Sequence, residues 1–300
     1  MRGPRRHATP LETVSVDVPE FALEAYEAAL STACDTVGFF HDQDTGDWRV
    51  EGVKPVGSGE AELAAALTLA AALSGVAASL SRAGTPAEGW LARTRAAFPE
   101  QYVGRRFSMR GTHLTGARCA GRITLILDAG LAFGSGEHGS TRGCLRALEQ
   151  IAYRRPRRIL DLGTGSGILA MAAVRLLHRP VLATDIEPWS VRVGRDNARR
   201  NQLDPMLRLR LADGWRHRVV RTAAPYDLVF ANILARPLCL MAVGLALHLA
   251  PGGTAILSGL LQTQARAVET AHRRQGLRLE GRIQEGPWTT LILRRAGETQ

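Results

Sequence analysis

Along the first eighty residues the apolar positions change period several times. In "ETVSVDV" they alternate at Val14, Val16 and Val18, the spacing of a half-buried strand. Pro19 then opens "PEFALEAYEAALSTA", whose apolar residues return to one helical face. "TVGFF" and "WRVEGV" read as strands joined by the turn-rich "HDQDTGD". "EAELAAALTLAAAL" predicts a buried helix ending at Gly75, and "VAASLS" a short closing strand. The order β-α-β-β-α-β is that of a small ferredoxin-like α+β domain. "RAGTPAEG" marks a boundary, and "WLARTRAAF" a short helix after it.

From about Gly104 strands and helices alternate. A strand "RITLILD", a glycine-bearing loop "AGLAFGSGEHGS" and a helix "TRGCLRALEQIAY" come first. Strands "RIL", "VLAT", "LRLRL", "DLVFA" and "GTAILS" then alternate with helices over "GILAMAAVRLL", "PWSVRVGRDNARRN", "RPLCLMAVGLALHL" and "TQARAVETAHRRQ". This rhythm predicts a doubly wound parallel sheet with helices on both faces. The chain closes differently, with "LRLEGRIQ" and "WTTLILRR" flanking "EGP" as an antiparallel hairpin. The expected organisation is therefore a first domain over residues 1–86, a helical linker over 87–103 and an α/β domain over 104–300.

Composition changes this picture only in its charge. Of 300 residues 45% are hydrophobic and 22% charged, values that suit a globular chain with a core, but the net charge is +10. Arginine supplies most of it, which points either to a nucleic acid or ribonucleoprotein partner or to an arginine-rich solvated surface. Cys34, Cys119, Cys144 and Cys239 lie far apart and form no metal-ligand spacing, as expected of idle thiols in a reducing cytoplasm. The basic start lacks the apolar segment of a signal peptide. The least polar window, from Leu63 to Ser81, is broken by Thr68, Ser74 and Gly75 and is not expected to span a membrane.

Four stretches carry chemistry. "DLGTGSG" places Gly163, Gly165 and Gly167 between a strand and a helix, where a backbone approaches a ligand closely. A dinucleotide fingerprint needs glycine at position 168, and Ile168 stands there; the GxGxG form is typical of S-adenosylmethionine sites. About twenty residues on, Asp185 ends the strand of "LATDIEP", where a carboxylate accepts from both ribose hydroxyls, or else caps the helix opened by Pro188. Asn232 ends "DLVFAN" at the carboxyl end of a parallel strand, where its amide oxygen can accept from an amine nucleophile; the alternative is a helix cap. No aromatic follows it to stack on a flipped base, so a protein amine is favoured over a nucleobase. The loop "FGSGEHGST" brings Glu137 and His138 without a third metal ligand, so no metal is expected. A dehydrogenase and a non-catalytic basic RNA-binding protein remain as rival classes, and no general base is identified.

Together "FGSGEHGST", "DLGTGSGILA", "DIEP" and "ANILA" resemble the PrmA family, the methyltransferases of ribosomal protein L11. The likeness runs from about Trp90 to Arg295 and is strongest in the loop ahead of the glycine motif; the first domain matches in layout only. The resemblance implies a Rossmann-like, seven-stranded class I methyltransferase domain with an antiparallel carboxyl-terminal hairpin. It implies S-adenosyl-L-methionine as cofactor, held by Thr141, Gly163, Gly165, Asp185 and Asn232, with Asn232 also orienting the amine. Its substrate would be ribosomal protein L11, methylated on lysine side chains or the N-terminal α-amine and presented by the first domain. The chain is expected to be a cytoplasmic monomer that touches the ribosome at most transiently and engages neither DNA nor membrane. Ser135 and Ser140 stand where the family has threonine, Gly139 where proline is frequent and Glu187 where it has aspartate; the serines keep the hydroxyl.

Overall fold

The computed structural model describes residues 10–34, 36–41, 46–85, 100–112, 114, 119–127 and 139–297. The chain divides into two compact units, Met1–Ala96 and Ala97–Gln300.

The first unit runs β1 (Leu11–Val18), α1 (Leu23–Ser31), β2 (Thr36–His41), β3 (Trp48–Pro55), α2 (Glu60–Ser74) and β4 (Ser81–Thr85). Its sheet has the order β2-β3-β1-β4 and every pairing is antiparallel. Val14, Val16 and Val18 turn inward with Trp48 and Val50. Lys54 is fully buried and ion-paired with Glu12 at 2.9 Å and with Glu60; Arg82 reaches the same two carboxylates. The network ties β1, β3, α2 and β4 together.

Three expectations are corrected here. Pro19 is followed by a 3-10 turn, Glu20–Ala22, before the α-helix starts. The closing strand is not "VAASLS" but Ser81–Thr85, inside the stretch read as a boundary. Its place is set by the β1 register, Leu11↔Thr85 to Ser15↔Ser81, while the Tyr26 hydroxyl bridges the Val76 carbonyl and the Ala78 N–H in the connector before it. Helix α2 ends at Gly75 as expected, but only Leu63 and Ala70 are buried, and Leu69 and Leu73 face outward. An alanine-rich helix has no polar stripe to say which face is in.

The second unit opens with β5 (Gln101–Val103), β6 (Phe107–Gly111) and β7 (Ile123–Leu127), a three-stranded sheet in that order. Only the last strand was foreseen, and β5 falls within the stretch assigned to the helical linker. The expected helix "WLARTRAAF" lies outside the described residues. Then follow α3 (Gly139–Ile151), β8 (Ile159–Leu162), α4 (Ile168–Leu177), β9 (Val181–Asp185), α5 (Pro188–Arg200), β10 (Leu207–Leu211), α6 (Arg218–Ala223) and β11 (Tyr226–Asn232). The chain continues with α7 (Ala235–Leu240), α8 (Ala242–His248), β12 (Leu249–Leu261), α9 (Gln262–Arg273), β13 (Leu277–Glu285) and β14 (Trp288–Arg295). The helix expected over "RPLCLMAVGLALHL" is thus two short helices meeting at Met241.

The large sheet has the order β10-β9-β8-β11-β12-β14-β13, the first five strands parallel and β14 antiparallel to both neighbours. It is the seven-stranded class I methyltransferase sheet with its closing hairpin. Successive residues serve opposite faces: Leu228 and Phe230 join the core with Leu145, Met171 and Val191, whereas Val229 and Ala231 join Leu238, Leu245 and Val268. Both faces are covered, so strand polarity survives only at the two ends, and ligands of such sheets lie at the carboxyl end. Among the described residues no helix is long and apolar enough to cross a membrane.

Candidate functional site

At the carboxyl end of β8 the backbone turns through Gly163, Gly165 and Gly167, all with positive φ. The turn is fastened to the neighbouring strand: the N–H groups of Gly163 and Thr164 donate to the Thr184 carbonyl at 2.8 and 2.9 Å. Asp185 completes the brace. Its Oδ2 accepts from the Gly165 N–H at 2.8 Å and its Oδ1 from the Glu187 N–H at 3.0 Å. Helix α5 begins after Glu187, which makes no side-chain cap, so Asp185 is not that helix's cap. A carboxylate oxygen has two lone pairs, and each of these keeps one for a further donor.

Asp161, which opens the motif, was given no role from sequence. It is 1% exposed; Oδ2 accepts from the Thr164 hydroxyl at 2.6 Å and the Ala170 N–H at 3.1 Å, while Oδ1 has no partner. Burial pushes its pKa up to about 7, against the lowering effect of those two bonds.

Asn232 is the last residue of β11, opposite Ser258 of β12. Its Nδ2 donates to Thr141 Oγ1 at 3.4 Å, and its Oδ1 is buried without a partner. Helix α7 starts after Leu234, so Asn232 does not cap it. Thr141, the residue with which the expected helix opens, is fully buried in the first turn of α3. That turn rests on a polar bed: Ser258 Oγ donates to the Ser140 carbonyl at 3.1 Å and lies 2.7 Å from Thr290 Oγ1. Cys144 is in the same bed, where burial raises its thiol pKa and keeps it inert.

One residue joins the two halves of the site. A Cβ on Gly163 would lie 2.4 Å from Cγ2 of Ile233, and a Cβ on Gly259, at φ +81°, would lie 2.5 Å from the Ile233 carbonyl oxygen. Ile233 is thus held between the glycine turn and a bulge in β12, where the β12–β14 register shifts between Leu257 and Leu260. The corner that carries Asn232 is fixed by these two contacts. Beyond β10, Ala212 donates its N–H to the Asp185 carbonyl at 2.9 Å and so ties the end of that strand to the end of β9.

The five residues expected to hold a cofactor therefore meet at one end of one sheet. Leu131 to His138, including Glu137 and His138, lie outside the described residues. Among the described residues no three His, Cys, Asp or Glu side chains gather as a metal site. Orphaned buried acceptors on Asp161 and Asn232, with spare lone pairs on Asp185, fit a ligand that brings hydroxyl and ammonium donors, as S-adenosylmethionine does.

The family model for ribosomal protein L11 methyltransferase (PrmA) matches residues 43–296. A ribosomal protein L11 methyltransferase of Caulobacter sp. (strain K31) is 40% identical over 255 residues, 85% of each chain. Another, of Rhizobium meliloti (strain 1021), is 46% identical over 211 residues, 70% of this chain and 72% of the relative. A solved structure of a ribosomal protein L11 methylase from Lactobacillus delbrueckii subsp. bulgaricus is similar at TM-score 0.59 and 28% identity, covering 66% of this chain and 100% of that one. The sheet order, the glycine turn and this match along most of the sequence lead to one assignment: the chain belongs to the ribosomal protein L11 methyltransferase (PrmA) family.

Proposed function

We propose that this methyltransferase modifies amines of ribosomal protein L11, on lysine side chains or the N-terminal α-amine. Thr141, Gly163, Gly165, Asp185 and Asn232 hold S-adenosylmethionine, with Asp161 behind them. When bound, that cofactor supplies a methyl group on a cationic sulfur. The observation that carries the reading is the unpartnered Asn232 amide oxygen at the carboxyl end of β11, in a tetrad, "NILA", that holds no aromatic.

Attack requires a neutral nitrogen, and a lysine amine with pKa near about 10.4 is mostly protonated at neutral pH, an α-amine near about 8 much less so. Asn232 accepts an N–H from the incoming amine without adding a negative charge, so it aims the nitrogen and does not stabilise the unreactive ammonium. Thr141 holds the amide from its other side, and the Ile233 seat keeps it from swinging. Positioning of this kind supplies most of the acceleration when two reactants become one complex. The first unit presents the substrate, and the enzyme works as a cytoplasmic monomer.

The test is intact-mass analysis of purified ribosomal protein L11 after incubation with the chain and S-adenosylmethionine. The expected result is mass gain in whole methyl steps on amines, lost in Asn232→Ala. Unmodified L11, with methylation of another protein from the same organism, would reject the substrate.

A further inference from the structure

The other end of the same sheet carries a feature that methyl transfer does not use. Between α3 and β8 the chain reads "RRPRR", Arg154 to Arg158. Arg155 holds φ +51° in the left-handed region, directly before a proline. That conformation is uncommon for a side-chain-bearing residue, and a following proline disfavours compact backbone further. Glycine or asparagine would adopt it at less cost, so the position keeps arginine against its backbone preference.

The turn is also clamped. Asp227, at the amino end of β11, accepts the N–H groups of Arg157 and Arg158 on one oxygen, at 2.8 and 2.9 Å. Pro156 is buried beneath, and the side chains of Arg155, Arg157 and Arg158 point to solvent. Among the described residues no carboxylate pairs with those three guanidinium groups. Arg154 and Arg294 flank them and share Glu280, at 2.8 and 3.4 Å. Arg154, Arg155, Arg157, Arg294 and the Gly252–Gly253 turn line an open polar cleft of about 310 Å³. Its lining has Arg154, Arg155, Arg157 and Arg294 against the single carboxylate of Asp227, and its glycine wall lets a bulky ligand approach backbone.

We infer that this face binds the phosphate backbone of RNA. The inference rests on the reading above, in that an enzyme acting on a ribosomal protein works near ribosomal RNA. Guanidinium groups free of carboxylate partners, carried on a clamped turn, match a line of phosphates. The cleft is polar, shallow and open, unlike the enclosed apolar pockets of small-molecule sites. Its place at the amino end of the strands leaves the methyl-transfer end free while RNA is held.

The experiment uses the full chain and a fluorescein-labelled RNA hairpin, titrated between about 50 mM and about 200 mM salt. The Arg155→Ala, Arg157→Ala, Arg158→Ala triple variant is expected to weaken binding about tenfold to a hundredfold and to flatten the salt dependence by roughly 2 in log–log slope. Its methylation of free L11 should match wild type, which separates failure of the RNA site from failure of the enzymatic reading. A charge-matched variant of α9 and its C-cap, Arg266→Ala, Arg273→Ala, Arg274→Ala, should bind RNA nearly as wild type does. Equal weakening in both variants would reduce the effect to overall charge and overturn the site. Unchanged RNA binding in the first variant, or loss of binding only to phosphatidylserine vesicles, would overturn it as well.

Discussion

β11 has an aspartate at one end and an asparagine at the other, and the two meet opposite surroundings. At the amino end Asp227 spends an oxygen on two N–H groups and holds a turn in which Arg155, Arg157 and Arg158 meet no carboxylate among the described residues. At the carboxyl end Asn232 keeps an unpaired acceptor in a buried place, and Asp161 of β8 does the same. One end thus offers donors to a polyanion; the other offers acceptors to a ligand rich in hydroxyl and ammonium groups. Buried polar groups are nearly always paired, so orphans at the carboxyl end mark where a ligand completes the structure.

If the acceptor end is set by backbone seating, disturbing the seat should damage it most. Gly259→Ala puts a methyl 2.5 Å from the Ile233 carbonyl and strains a φ of +81°. The strain costs about 1–2 kcal/mol of stability. Transfer should fall by about a hundredfold through the displaced Asn232, with S-adenosylhomocysteine affinity changed far less. Single-turnover rates beside calorimetric affinities make the test. A proportional loss in both would show that the seat serves binding and not aim.

Asp185→Ala should act the other way round. Losing a charged acceptor costs about 1.5–3 kcal/mol, so cofactor affinity should drop about tenfold to a hundredfold. The Gly165 and Glu187 N–H groups also lose their partner, and the glycine turn should exchange its amide hydrogens faster. Unchanged affinity in a folded variant would leave Asp185 as a brace alone.

A smaller effect comes from Asp161. Its folded pKa, about 7, lies above the usual carboxylate value, so the folded protein holds a proton that the unfolded chain releases. The resulting stability is full below about pH 4 and is lost as pH rises towards about 7. Wild type should therefore lose melting temperature over that window relative to Asp161→Asn. A cationic ligand favours the carboxylate, so binding of S-adenosylmethionine near about pH 6 should release a proton from wild type and not from the variant. Calorimetry in buffers of different ionisation heat reads this directly, and equal release would remove Asp161 from the site.

The motifs made the acceptor end legible before the fold was known. Gly163, Gly165, Asp185 and Asn232 each sit where a strand ends, and their spacings along the chain are those of alternating strands and helices. The seat was not legible, because Gly163, Ile233 and Gly259 are far apart in sequence and their contact depends on a bulge. Nor was the titration of Asp161, which arises from its burial in the folded chain. In the first unit β4 follows the register of β1 and not its own weak pattern. β5 and β6 are too short to show a period, and α2 hides its exposed face because alanine fits either side.

In the proposed reaction the Asn232 amide aims a neutral amine at the methyl group. This role is tested most directly by single-turnover transfer to L11 in wild type and Asn232→Asp from about pH 7 to about pH 10. A carboxylate accepts the same hydrogen bond but stabilises the protonated amine. The variant should be slow at neutral pH and recover part of its rate as pH rises. A variant that matches wild type across the range would contradict this role.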